Sequence, residues 1–160
     1  MKKIYCFLIL KIFLEFLINK YKANDFSMID EDFFIDRKRV EEFLNLLEKI
    51  RIQFSWSAGA RANYFTDSYL NEKFLNRLKQ SGFYHTGFGA ESGSERILEI
   101  IHKGIKPDQT KHAAILSKKC GINFCFSFMC ALPGETEKEI LQTILFCHKL
   151  IQLNPDNYII

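Results

Sequence analysis

Four short runs of strand character alternate with longer helical runs along this chain, and that alternation limits the fold more than any other feature. The strand patterns fall at Asp25–Ile29, Gln53–Gly59, Phe83–Gly89 and Ile122–Met129. Asp36 is a fitting N-cap for a helix over Arg37–Ile50, where Val40, Phe43, Leu44 and Leu47 recur at helical spacing. Asp67 is expected to cap Ser68–Gln80, with Leu70, Phe74, Leu75 and Leu78 on one side and Ser81-Gly82 as the stop. A helix over Ser94–His102 follows the third strand, and Pro107 opens another that reaches Cys120. Thr136 and Glu139 form a capping box for a last helix to Leu150. Asn154-Pro155 breaks it, and Tyr158–Ile160 reads as the start of a further strand. Strands joined by helices of this length make βαβ units, hence a parallel sheet with right-handed crossovers. A full eight-stranded barrel takes about 250 residues. The 160 residues present are therefore expected to form one domain, either a small open sheet or part of a barrel.

A second signal lies inside the strands. A parallel sheet covered on both faces shows near-continuous apolar runs. Here Ile122, Phe124, Phe126 and Phe128 share one face, while Asn123, Cys125, Ser127 and Met129 share the other. Phe54, Trp56 and Ala58 likewise oppose Gln53, Ser55 and Ser57. One face thus packs on helices and the other is polar. A partial barrel with a wet, ligand-holding lumen gives this pattern, and so does a sheet edge that faces water.

Polar groups gather just past each strand. Asp30-Glu31-Asp32 follows the first, Arg61 the second, Glu91-Ser92-Gly93-Ser94 the third and Ala131-Leu132-Pro133-Gly134-Glu135-Thr136 the fourth. In a parallel sheet all four reach the C-terminal edge, where ligands of such folds bind. Carboxylates accept from an amine or from ribose hydroxyls, and an Arg holds a carboxylate by its fork. Each group also has a local reading: Ser92-x-x-Glu95 is a capping box, Pro133-Gly134 is a turn, and the acidic run is a solvated loop. A dinucleotide fold fits poorly. Gly87-x-Gly89 is suggestive, but Gly93 comes one residue late for G-x-G-x-x-G, and Lys106-Pro107-Asp108 starts a helix where an acid should end a strand.

A formal charge of +3 without a basic block does not point to nucleic acid. Five cysteines, an odd number without paired spacing, argue against a disulfide framework and for a reducing, cytoplasmic setting. Cys120-x4-Cys125-x4-Cys130 matches no zinc spacing, so no metal ligands are assigned. Met1–Leu10 begins like a secretory signal, but Lys11 breaks the run and no small-x-small site follows. The run is far short of the roughly 20 apolar residues that span a bilayer. Ile12–Tyr21 reads as an amphipathic or buried helix.

MIDEDFFIDRKRVEEF, WSAGARAN, GFGAESGSERILEIIHKGI and FSFMCALPGETEKEILQTI resemble, in that order, successive βα segments of radical S-adenosylmethionine (SAM) enzymes. The branch they resemble often carries an upstream cobalamin-binding domain. The likeness covers roughly Lys11 to Ile160. It implies an α/β fold, a partial (β/α)6 barrel of TIM type with parallel strands and outer helices, without the first strand and its cluster loop. Residues 11–160 would form this barrel and residues 1–10 an extension outside it. The family uses a [4Fe-4S] cluster to cleave SAM reductively. The 5′-deoxyadenosyl radical then abstracts a substrate hydrogen, or SAM gives a methyl group through cobalamin. By resemblance, Asp30, Glu31 and Asp32 meet the SAM amino group, and Arg61 matches an arginine after the next strand. Glu91 and Ser92 lie near the methionine or ribose part, and Leu132, Pro133 and Gly134 run along the adenine.

The family's cluster ligands form C-x3-C-x2-C, and no such triad occurs in this sequence. Without three thiolates no open iron is held for SAM. The resemblance therefore implies a fragment of a radical SAM enzyme that is inactive as this chain alone, acting on a small molecule and partnered by the missing N-terminal part. The alternative is a non-catalytic SAM- or nucleotide-binding module. Neither nucleic acid nor a membrane is an expected partner.

Overall fold

The computed structural model describes residues 2–50 and 52–153. In chain order the elements are α1 (Lys2–Tyr21), β1 (Asp25–Met28), α2 (Arg37–Ile50), β2 (Ser55–Ala60), a single 3-10 turn (Ala62–Tyr64), α3 (Glu72–Gln80), β3 (Phe83–Glu91), α4 (Glu95–Ile100), α5 (Pro107–Lys119), β4 (Asn123–Phe128) and α6 (Glu137–Leu153). All neighbouring strands pair in parallel, in the order β1-β2-β3-β4. That order never reverses. Right-handed crossovers taken always in one direction put every connecting helix on the same side of the sheet. The sheet is therefore wound as a barrel is wound. Among the described strands there is no strand-order reversal of the kind that makes a dinucleotide crevice.

The burial of the strands follows from this winding. Trp56, Ala58 and Ala60 on β2, Phe83, Thr86, Phe88 and Ala90 on β3, and Phe124 and Phe126 on β4 are buried beneath the helices. On the other face Ser55, Gly59, Asn123 and Ser127 are exposed, and Ser57, His85, Gly87 and Gly89 are half-buried. Cys125 is the buried member of that polar face, with Sγ 3.6 Å from where a Cβ on Gly87 would stand. Burial lowers the pKa of His85, so its ring is neutral near pH 7.

Aromatic rings fill the helix side. Trp56 meets Phe83 at 4.6 Å between centroids and also touches Phe33 and Phe43, while its indole N–H donates to the Ser81 carbonyl at 3.1 Å. Burying a ring of that size is worth roughly 4–6 kcal/mol, an upper bound against an extended unfolded chain. Phe88 stacks on Phe126 at 5.6 Å, so β3 and β4 also share an aromatic layer.

Several boundaries move for local reasons. The third helix starts at Glu72, not Ser68, and Asn71 is its cap: Oδ1 accepts the Phe74 N–H at 3.0 Å. The residues before it anchor a loop instead. Leu70 is buried, the Tyr69 hydroxyl donates to the Phe34 carbonyl, and Arg37 donates to the Tyr69 carbonyl. The first helix is continuous from Lys2 to Tyr21, and its Leu14 enters the core. Tyr158–Ile160 and Asn154-Pro155 lie outside the described residues. No described helix is long and apolar enough to cross a membrane.

Candidate functional site at the C-terminal edge of the sheet

The end of β3 is shaped by a bulge. Gly89 pairs with Ser127 and Glu91 with Phe128, so Ala90 is extra and the strand turns there. Glu91 then takes φ +62, a left-handed backbone that a non-glycine residue seldom adopts. Its Oε1 accepts from Lys103 Nζ at 2.7 Å, and both side chains are largely shielded from solvent. Arg61, at the end of β2, donates from Nη2 to the Lys103 carbonyl at 2.6 Å.

The acidic segment after β1 separates into three roles. Asp30 is local: Oδ1 accepts the Asp32 N–H at 3.0 Å, and Oδ2 lies 3.2 Å from Arg39 Nη1. Glu31 is exposed. Asp32 is held inward, with Oδ2 accepting the Tyr64 hydroxyl at 2.6 Å. Burial, then this carboxylate, push the Tyr64 phenol up to about 12. Asp32 Oδ1 is buried and has no hydrogen-bond partner among the described residues. The Tyr64 N–H donates to the Arg61 carbonyl at 3.1 Å. A continuous chain of contacts therefore joins Asp32, Tyr64, Arg61, Lys103 and Glu91.

Ser92, Gly93 and Ser94 face elsewhere. Ser92 is fully buried; its Oγ lies 3.0 Å from Thr143 Oγ1 and accepts the Ser94 N–H. The Gly93 N–H donates to Thr143 Oγ1 at 3.0 Å. A Cβ on Gly93 would stand 2.8 Å from the Gln142 carbonyl and 3.0 Å from Thr143 Cα, so this glycine is where α6 backbone touches the β3–α4 junction. The cap of α4 is Ser94, not Ser92 as the Ser92-x-x-Glu95 spacing suggests. Ser94 Oγ also donates to Glu139 Oε1 at 3.0 Å.

Glu139 is the hub of this joint. It accepts Arg96 through Nε at 2.8 Å and Nη2 at 2.6 Å, and the N–H and hydroxyl of Thr136. The Arg96 guanidinium first, then Thr136, hold its carboxyl well below the usual carboxylate range. Arg96 also donates to the Gly134 carbonyl at 2.7 Å. The Leu132-Pro133-Gly134 turn is thereby fixed beside α4, with Gly134 at φ +80, while Pro133 and Gly134 stay exposed. The structure thus brings Asp32, Arg61 and Glu91 into one connected group. It puts Ser92 in a packing joint and the Leu132–Gly134 turn beside that joint.

Sequence reasoning missed Tyr64 and Lys103. Only the glycine after Lys103 hinted at a turn that could reach back. A cavity of about 1160 Å³ opens at the opposite, N-terminal edge, between Asn24, Gln53, Ser81 and Tyr84, and none of the expected site residues lines it. In barrel folds that end serves stability.

A one-way wound parallel sheet with helices on one side, whose charged groups meet at the C-terminal edge, defines a barrel-type α/β domain. The radical SAM superfamily model matches residues 8–147, and the chain belongs to that superfamily. An uncharacterized methyltransferase of Pyrococcus horikoshii is 35% identical over 137 residues, 86% of this chain and 29% of that protein. The anaerobic magnesium-protoporphyrin IX monomethyl ester cyclase of Rubrivivax gelatinosus is 28% identical over 89% of this chain and 25% of that protein. The chain thus spans only a quarter to a third of the length of these relatives. Among solved structures, the cobalamin-dependent SAM radical enzyme OxsB, with aqua-cobalamin and SAM bound, superposes with a TM-score of 0.67 at 20% identity, over 78% of this chain and 19% of that one. The radical SAM methyltransferase TsrM from Kitasatospora setae, with cobalamin and a [4Fe-4S] cluster bound, gives 0.66 at 17% identity, over 86% and 26%. These likenesses bear on the fold, and they agree with a partial barrel.

The iron–sulfur cluster does not fit the residues present. Among the described residues no three His, Cys, Asp or Glu side chains are grouped to hold a metal ion. Cys120 caps the end of α5, Cys125 is buried within β4 and Cys130 follows β4, so the regular spacing of these three does not make a ligand set.

Proposed function

We propose that this chain is the SAM-holding part of a radical SAM enzyme and that it is catalytically inactive by itself. The observation that carries the reading is Asp32 Oδ1. It is a buried carboxylate oxygen at the C-terminal edge with no donor of its own. Such an atom costs stability unless a ligand donates to it, and a charged ammonium group makes a charge-assisted hydrogen bond to a carboxylate about twice as strong as a neutral one. Asp32, with Tyr64 fixing its other oxygen, would take the SAM amino group. Arg61 would face the SAM carboxylate, and Glu91 the ribose hydroxyls or the methionine part.

The three thiolates that would hold the cluster are not in this sequence. The proposal for the whole protein is that the C-x3-C-x2-C segment belongs to its N-terminal part, that the substrate is a small molecule, and that the reaction runs in the cytoplasm. The names of the methyltransferase relatives, and the cobalamin held by OxsB and TsrM, support methyl transfer through cobalamin as its chemistry.

Anaerobic reconstitution of this chain with iron and sulfide tests the proposal. The expected result is no stable four-iron absorbance and no 5′-deoxyadenosine. A robust cluster with SAM cleavage refutes it. The competing reading, a binding module complete without iron, gains from the same missing thiolates. It requires tight SAM binding in iron-free buffer, whereas the partial-site reading expects weak binding.

A further inference from the structure

We propose that Cys130 and Cys147 are a reversible redox pair, a modification site at which a hydroperoxide closes a disulfide between the coil after β4 and helix α6. The fold brings the two together from different elements. The Met129 N–H donates to the Glu91 carbonyl at 2.8 Å, and Phe146 Cβ lies 2.9 Å from where a Cβ on Gly93 would stand. The residue before each cysteine is thus pinned to the same short stretch, Glu91 to Gly93. The Phe128 and Phe146 rings also meet edge to face, with centroids 6.0 Å apart. The two sulfurs are close enough to interact: burial first, then the Cys130 sulfur, pushes the Cys147 thiol up to about 11.

Exposure assigns the two roles. Cys130 is exposed and meets the oxidant; Cys147 is half-buried and resolves the product. The Cys130 sulfur, its proton released, attacks one oxygen of hydrogen peroxide. The O–O bond breaks, Cys130 becomes a sulfenic acid, and the other oxygen leaves as water. The Cys147 sulfur then displaces the sulfenic hydroxyl, which leaves as a second water with the Cys147 proton. The two thiols lose two electrons, and the peroxide gains them. Residues 129–136 form neither strand nor helix, so the Cys130 end meets the Cα spacing of a disulfide without breaking a ladder. The bridge fastens to α6 the coil that holds the Leu132–Gly134 turn, which Arg96 already ties at the Gly134 carbonyl. A small thiol of the glutathione class reverses it by exchange. Transient bridges of this kind are the ones a reducing compartment allows.

The test exposes the full folded chain briefly to hydrogen peroxide, alkylates the remaining thiols in denaturant and maps the peptides by mass. The expected result is the loss of two of the five thiols and a linked peptide that joins Cys130 to Cys147. Dithiothreitol should remove the link, and Cys120 and Cys125 should stay open to alkylation. The bridged chain is expected to unfold at a urea midpoint about 1 M higher, because the link restricts the unfolded chain. Cys130→Ser, a change at an exposed position that keeps the fold, should abolish both the linked peptide and the shift. Cys147→Ser should leave Cys130 at the sulfenic or sulfinic stage. Sulfinic acid at Cys130 beside a free Cys147 in the unaltered chain overturns the proposal. A link that forms only after unfolding in urea, or a bridged chain with a lower midpoint, overturns it as well.

Discussion

Gly93→Ala probes the joint on which the site stands. The added methyl would lie 2.8 Å from the Gln142 carbonyl oxygen, 2.9 Å from Phe146 Cβ and 3.0 Å from Thr143 Cα. Two of these are backbone atoms of a 17-residue helix, so no single rotamer change relieves the contact and α6 must move as a body. Overpacking of this kind costs about 1–3 kcal/mol. The shift also stretches the hydrogen bonds that Thr143 makes to Gly93 and Ser92, worth about 1 kcal/mol each at most. The lower entropy of alanine in the unfolded chain returns about 0.4–1 kcal/mol. The expected net loss is about 1–3 kcal/mol. With a urea slope of about 1–3 kcal/mol per molar, the midpoint falls by about 1 M. Trp56, the single tryptophan, lies fully buried in the core and gives the fluorescence signal. The control is Gly59→Ala, whose methyl would meet only the Gly87 carbonyl at 3.9 Å. Its midpoint is expected to stay level or rise slightly, since glycine weakens a strand interior. Equal midpoints for the two variants would refute the close-approach argument.

Two further outcomes follow from the electrostatics. The Glu139 carboxyl, held low by Arg96 and Thr136, titrates below its unfolded value, so its contribution to stability is present above the ordinary carboxylate range. That contribution is lost as the pH falls through the acid side of that range. Glu139→Gln should therefore lower the urea midpoint at pH 7 and narrow the gap between midpoints at pH 7 and pH 3. An unchanged gap would remove Glu139 from the joint. Among the described thiols, Cys130 is exposed, whereas burial pushes Cys147 up to about 11 and also raises Cys120. Peptide mapping after brief alkylation at neutral pH should find Cys130 modified first, with Cys147 and Cys120 labelled only in denaturant. Rapid labelling of Cys147 in the folded chain would contradict its placement.

Most of the fold was legible because strand and helix periods are local properties. Helix α2 appears at Arg37–Ile50 as its apolar spacing requires, Pro107 opens α5, and the Glu139 carboxylate accepts the Thr136 N–H at the start of α6, one arm of the expected capping box. Boundaries drifted where a residue served a distant partner. Tyr69 and Leu70 fit a helical pattern, but Tyr69 binds the loop after β1 and the Leu70 N–H donates to the Tyr64 carbonyl, so α3 begins at Glu72.

The chain's own order of motifs determined the parallel sheet, the family and the edge at which Asp32, Arg61 and Glu91 would gather. Those features depend only on period, spacing and chain direction. The tertiary structure decided what each polar group faces. Ser92 and Gly93 read equally well as a ligand turn or a cap, and the arrival of α6, some fifty residues later, made them a packing joint. Lys103 and Tyr64 gained their roles in the same way, from contacts to Glu91 and Asp32 that lie 12 and 32 residues away in the chain. A side chain's partner across such separations is set by how whole elements pack, and no local pattern encodes it.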